Sequence, residues 1–243
     1  MIPKIIHYCW FGKSEKNNKI KKYIKKWEHL MSDYQIIEWN ENNFDINSNK
    51  YVSEAYSMKK YAFVSDYVRL KALYEYGGIY FDTDIEILKK FDEILLKNKD
   101  IYGFELENKV MTGVIIARKN SKIIKEFLSL YDNKKFVYEN GEMDLTPNTT
   151  LFTGLLESKG LILNNTYQTF EEFEIYPIEY FSGYDLKNNC IRKTEKTITI
   201  HHYNCTWGNI QTQFILKVKK LISKVIGRSN YEKLRSLFNR KNN

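Results

Sequence analysis

Cysteine is scarce in this chain of 243 residues. Cys9, Cys190 and Cys205 are odd in number, far apart, and form no Cys-X-X-Cys pair. That excludes a disulfide framework and a zinc knuckle, and it fits thiols kept reduced in the cytosol. Long apolar runs are missing too: no window approaches the ~18 uncharged residues a membrane span needs. The start, MIPKIIHYCWFG, has no cationic stretch ahead of an apolar run, and His7 and Trp10 interrupt it early. It reads as a first strand, not a secretion signal. Internal repeats and low-complexity linkers are absent.

What remains is a folding sequence. Apolar residues make up 43% of the chain and aromatics 15%, enough for one ordinary domain with a short appendage and too much for a disordered chain. The 19 tyrosines suit half-polar clefts for sugars or nucleotides, and equally suit plain sheets and helix faces. The net charge of +8 has a location. Residues 211–243 hold nine Lys or Arg and one Glu, leaving 29 basic and 29 acidic residues in the first 210. The whole excess sits in the C-terminal tail.

Periodicity predicts strands over 4–10 and 34–39, separated by a helix over 18–31 with Ile20, Tyr23, Ile24, Trp27 and Leu30 at helical spacing. Residues 40–49 are polar and loop-like. Helices cover roughly 51–76 and stop at Gly77-Gly78, where glycine can take the left-handed conformation. Residues 79–81 form a short strand and 85–88 stay extended. Strands follow at 101–106 and 110–117, then helices at 121–131 and 149–158, the second starting near Pro147. Residues 161–189 show no clear period. Residues 197–202 alternate as a strand, and the chain is helical from 214. Strands alternating with helices predict an α/β fold around a mostly parallel sheet.

The densest stretch is SDYVRLKALYEYGGIYFDTDIE, residues 65–86. It places Asp82 and Asp84 one residue apart where an apolar strand runs out. A lone Asp-X-Asp is weak, since with ten aspartates chance supplies about 0.4 of them. Position raises its value, because α/β sheets put ligands at the carboxyl ends of their strands. Hard oxygen ligands so spaced suit Mg²⁺ or Mn²⁺ bridging phosphate oxygens, and the bland alternative is a solvated acidic turn. Aspartyl phosphatases also carry Asp-X-Asp after a strand. They need Thr or Val two residues beyond the second Asp, where this chain has Glu86, and usually use the first strand. Asp66 and Arg69, three apart on one helix face, are either a surface ion pair or part of a sugar- and phosphate-facing group. Trp10 at a strand end beside Phe11-Gly12 suits stacking on a base, or the core. His201-His202-Tyr203, followed by Thr206-Trp207, ends the last strand; one imidazole could complete a metal site, or sit satisfied in the core.

Together, IPKIIHYCWFG, YAFVSDYVRLKALYEYGGIYFDTDIEI and the late HHYNCTW resemble glycosyltransferase family 32, whose bacterial members carry a DXD sugar-binding region. The likeness is close over 2–12 and 61–88 and looser over 197–208. It extends distantly to the glucosyltransferase domain of large clostridial toxins and to fungal mannosyltransferases. It implies a GT-A fold, with a Rossmann-like mostly parallel sheet flanked by helices, over residues 1–210. Residues 1–117 would form the nucleotide-sugar half and 118–210 the acceptor half. It implies retaining transfer of a hexosyl or N-acetylhexosaminyl group from a nucleotide-sugar, a UDP-sugar first and GDP-mannose second, with Mn²⁺ or Mg²⁺. By motif position, Trp10 would stack on the base. Asp66, Arg69 and Tyr80 would face the donor sugar and phosphate. Asp82 would face ribose and sugar, touching the metal at most indirectly. Asp84 would bind it directly, with His202 as further ligand and His201 as second choice. Asn148 would reach the sugar. Thr206 and Trp207 belong to the donor site, with Thr206 standing where many relatives have Ser.

The tail, 211–243, reads as basic amphipathic helices. Phe214, Ile215, Val218, Leu221, Ile222, Val225 and Ile226 share a side, with Lys217, Lys219, Lys220 and Lys224 on much of the rest. Such a helix can lie on an anionic membrane and bring a cytoplasmic enzyme to a lipid-linked glycan acceptor. It can equally cover the domain itself or a second copy as a homodimer. No aromatic-basic platform speaks for nucleic acid.

Overall fold

The computed structural model describes residues 1–95, 97–185 and 190–203. The expected tail helices, Thr206 and Trp207 lie outside the described residues. In chain order the elements are β1 (Ile5–Cys9), α1 (Asn18–Leu30), β2 (Gln35–Trp39), α2 (Lys50–Ser57), α3 (Tyr61–Tyr76), β3 (Gly78–Phe81), β4 (Ile85–Ile87) and α4 (Asp92–Leu95). There follow β5 (Asp100–Leu106), β6 (Lys109–Val110), β7 (Val114–Ala117), α5 (Lys122–Ser129), α6 (Asn148–Ser158), β8 (Gln168–Thr169), β9 (Phe173–Tyr176), α7 (Ile178–Phe181), β10 (Tyr184–Asp185), β11 (Cys190–Ile191) and β12 (Thr199–His201).

The main sheet runs β2-β1-β3-β7-β5-β9-β8, with β6 paired to β5. Strands β2, β1, β3, β5 and β9 point one way; β7 and β8 run against them. The sheet is thus mostly parallel, with one reversed strand between β3 and β5. Apolar layers cover both faces. Val64, Leu70 and Leu73 of α3 pack with Phe127 and Phe152 on one face, and Trp27 of α1 with Phe81 and Phe91 on the other. No helix among the described residues is long and apolar enough to cross a membrane.

Local chemistry sets the boundaries near the site. Asn17 caps α1, its side chain accepting from the amides of Lys19 and Ile20 at 3.0 Å each. Ile20, Tyr23 and Trp27 then fall on one buried face. The Trp27 indole donates to the carbonyl of Ile85 at 2.9 Å, fixing the helix against β4. Helix α3 ends where Gly77 and Gly78 take φ of 67° and 110°. A Cβ on Gly78 would stand 2.5 Å from the carbonyl oxygen of Ile5, so glycine lets β3 close onto β1. Strand β3 is buried throughout, and its carboxyl end delivers Asp82.

Two expectations change. Residues 110–117 are not one strand. Val110 pairs with Phe104 but Ile116 with Ile101, so the register on β5 shifts across Met111, Thr112 and Gly113, and the chain passes from β6 to β7 there. The unread stretch 161–189 contains β9, buried at every position and so without alternation, which pairs in parallel with β5. Strand β12 returns to pair antiparallel with β4, His201 opposite Ile85.

Candidate donor and metal site

A cavity of about 580 Å³ opens at the carboxyl ends of β1 and β3. Trp10, Asp66, Arg69, Tyr80, Asn148 and His201 all line it, as do both aspartates of the Asp-X-Asp pair. The side chains expected around the donor from residues 10 to 148 therefore converge on one space.

Arg69 organises its floor. Its Nη1 donates to the carbonyl of Thr112 at 2.7 Å and its Nε to that of Ser65 at 3.1 Å. Its Nη2 lies 2.9 Å from Asp66 and 3.3 Å from Oδ1 of Asp82. The guanidinium also covers the Tyr80 ring, 4.6 Å from its centroid. Asp66 and Arg69 are thus a buried pair, not a surface one. Burial raises the Asp66 carboxyl to about 6, against the pull of Arg69 and a hydrogen bond from Asn148. Tyr80 donates to Oδ1 of Asp82 at 2.9 Å, so that oxygen is committed to the protein.

Asp82, Asp84 and His201 form a cluster whose ligand atoms all lie within 4.8 Å of one another. His201 Nε2 is 3.2 Å from Oδ1 of Asp84. Burial by itself lowers the His201 pKa, but Asp84, Glu105 and Asp82 outweigh it and raise it to about 9. His201, the second choice, stands where His202 was expected. Neighbours on a strand face opposite sides. His202 turns to the α1 face, its Nε2 2.8 Å from Glu86 and its ring stacked on Tyr23 at 5.0 Å. Burial lowers its pKa, with Glu86 opposing.

Two carboxylates and an imidazole are a donor set for a hard or borderline divalent cation. The space fits one as well. A Cβ on Gly113 would lie 3.0 Å from Oδ2 of Asp82 and 3.0 Å from Cε1 of His201, so only glycine leaves this cradle open.

Trp10 is half-buried, its indole donating to the carbonyl of Ser14 at 2.7 Å and its ring on the cavity wall. Asn148 donates to the backbone carbonyl of Asp66 at 3.2 Å, while its Oδ1 is buried without a hydrogen bond. Sequence reasoning missed Glu105, Thr112 and Gly113, which also line the cavity. Two signals were available. Glu105 is a carboxylate near the carboxyl end of a strand, and Gly113 is an isolated glycine in an apolar run, where a close approach is common.

Residues 17–100 match the model of the glycosyltransferase sugar-binding region containing the DXD motif. No curated protein matches the chain. Among solved structures it is similar to the PaToxG glycosyltransferase, at 19% identity over 65% of this chain and 70% of that one, with a TM-score of 0.50. A glycosyltransferase involved in glycosylation of the major capsid of PBCV-1 aligns over 88% of this chain and 100% of its own, at 10% identity and a TM-score of 0.49. Galactosyltransferase LgtC, solved with donor and acceptor sugar analogues, aligns over 90% and 95%, at 13% identity and a TM-score of 0.44. The fold is of the GT-A type, and residues 17–100 are similar to the DXD-containing sugar-binding region of glycosyltransferases.

Proposed function

We propose that the protein is a retaining glycosyltransferase that moves a hexosyl or N-acetylhexosaminyl group from a nucleotide-sugar to a glycan acceptor. A UDP-sugar is the first candidate donor. The observation that carries this reading is the meeting of Asp82, Asp84 and His201 at the mouth of a cavity walled by Trp10, Arg69 and Asn148. Asp82, Asp84 and His201 would hold the Mn²⁺ or Mg²⁺. When bound, the cation neutralises charge gathering on the departing diphosphate.

This chain's own residues supply the rest. Trp10 offers a flat face for the base at the end of β1. Arg69 fixes Asp66 and Asp82 while its charge faces the phosphates, which favours departure of the nucleoside diphosphate. Asn148 aims its unbonded Oδ1 at the donor sugar, where a hydroxyl satisfies it. The state of the carboxylates argues against a covalent intermediate on any of them. Asp66 and Asp82 pair with Arg69, Asp84 with His201, and Glu105 with Tyr203. Each is committed to a neighbour, so catalysis rests on positioning and electrostatics, with attack from the face of the leaving group. A covalent glycosyl-enzyme trapped by mass spectrometry would replace that step with double displacement.

On this reading residues 1–117 carry most of the donor site, and 118–210 handle the acceptor while lending Asn148 and His201 to the donor cavity. The tail would bring a cytoplasmic enzyme to a lipid-linked acceptor at an anionic membrane surface, in surface polysaccharide synthesis. Unchanged liposome binding after deletion of 214–243 would discard the membrane step. The central experiment is a screen of UDP- and GDP-sugars with Mn²⁺. Release of nucleoside diphosphate supports the transferase; release of phosphate from phosphomonoesters instead would make the protein a phosphotransferase. Neither release would leave a binding module.

A further inference from the structure

Glu105, next to the last residue of β5, lines the cavity. Its Oε1 lies 3.8 Å from Nδ1 of His201, the ring nitrogen turned away from Asp84. That nitrogen is buried and has no hydrogen-bond partner. Tyr203 completes the arrangement. Its ring stacks on His201 at 3.9 Å between centroids, its hydroxyl bonds Ser182 at 3.0 Å, and it favours the charged form of Glu105. The imidazole is therefore held flat by one neighbour and faced at its outer nitrogen by a half-buried carboxylate.

A buried N–H without an acceptor is costly, and an imidazole that ligates a cation through one nitrogen must carry its proton on the other. A gap of 3.8 Å is too long for a hydrogen bond. Such bonds are often long in unloaded sites and tighten when the site is filled. A ring shift of under an ångström closes this one.

We propose that Glu105 is a positioning residue for His201: it accepts a hydrogen bond from Nδ1 and, with Tyr203, keeps Nε2 turned toward Asp84 and the cation. The inference rests on the reading of Asp82, Asp84 and His201 as a divalent-cation site. Glu105 touches neither donor nor acceptor in this role.

The test uses the full chain, titrated calorimetrically with Mn²⁺ alone, alongside ¹⁵N NMR of histidine-labelled protein saturated with Mg²⁺. In the wild type, His201 shows a protonated Nδ1. Glu105→Leu removes the acceptor; it lowers Mn²⁺ affinity about 10- to 100-fold and the ring loses its single tautomer. Glu105→Gln keeps an acceptor oxygen and restores affinity to within about fivefold of wild type, a rescue that mere filling of space does not produce. Wild-type Mn²⁺ affinity and an unchanged tautomer in Glu105→Leu overturn the proposal and leave the metal reading standing. Absence of Mn²⁺ binding in the wild type overturns both. Should Glu105→Leu not fold, the wild-type spectrum decides alone, because a protonated Nε2 with a bare Nδ1 contradicts the assigned role.

Discussion

The Nε2 of His201 stands 3.2 Å from Oδ1 of Asp84, joining the last strand of the described fold to the Asp-X-Asp loop. Asp84→Asn keeps the shape of that contact and removes a charge. It is expected to abolish divalent-dependent release of nucleoside diphosphate, read by a coupled assay across Mn²⁺ concentrations. Full retained activity would take Asp84 out of the site.

The two adjacent histidines separate cleanly. His201→Ala should weaken Mn²⁺ binding by about tenfold or more, because it deletes a ligand. His202→Ala should leave affinity within about twofold and instead loosen α1, since His202 packs on Tyr23 and bonds Glu86. Calorimetry of both variants checks the pair. Equal losses would mean the ring faces are exchanged.

That contrast shows where the sequence was readable and where it was not. Strand β3 and its aspartates were legible because a short apolar run, a glycine stop and two carboxylates are local. Which histidine meets Asp84 depends on the register of β12 against β4, a pairing between segments far apart in sequence that no local pattern encodes. Glu105 looked like any polar residue at a strand end, its partner His201 being far along the chain. Gly113 was hidden inside an apolar run that periodicity extends as one strand. Strand β9 gave no alternation because both its faces are buried.

Acidity should act through His201. An unfolded imidazole titrates near 6.5, and the folded ring is raised to about 9. The protonated ring therefore stabilises the metal-free fold fully below 6.5, and this is lost as pH rises through about 9. The metal needs the bare ring, so Mn²⁺ affinity should climb over the same window. Melting temperatures without metal should fall from pH 6.5 to 9 while the upward shift caused by Mn²⁺ grows. His201→Gln should flatten both trends. Asp66, raised to about 6, titrates below the window.

Gly113→Ala is a probe of space. The backbone there lies outside the left-handed region, yet the added methyl meets Asp82 and His201 at 3.0 Å each. Mn²⁺ affinity should drop by about tenfold or more, with stability altered by about 1–3 kcal/mol at most. Tight Mn²⁺ binding by this variant would place the ion elsewhere.

Arg69→Lys retains charge but not the fork. One ammonium cannot reach the carbonyls of Thr112 and Ser65 and both Asp66 and Asp82. The buried groups left unbonded should lower stability by about 1–3 kcal/mol in urea unfolding. Donor turnover should fall further than Mn²⁺ affinity, since Arg69 is not a ligand of the ion.

The antiparallel pairing of β12 with β4 bears on how the protein is made. During synthesis Asp82 and Asp84 leave the ribosome well before β12. His201 follows only after α5, α6, β9 and α7 have been laid down. A nascent or prematurely ended chain thus holds the carboxylates without the imidazole, and β4 without its neighbour. Unfinished copies cannot bring Asp82, Asp84 and His201 together, so on the proposed reading chemistry waits for translation to pass β12.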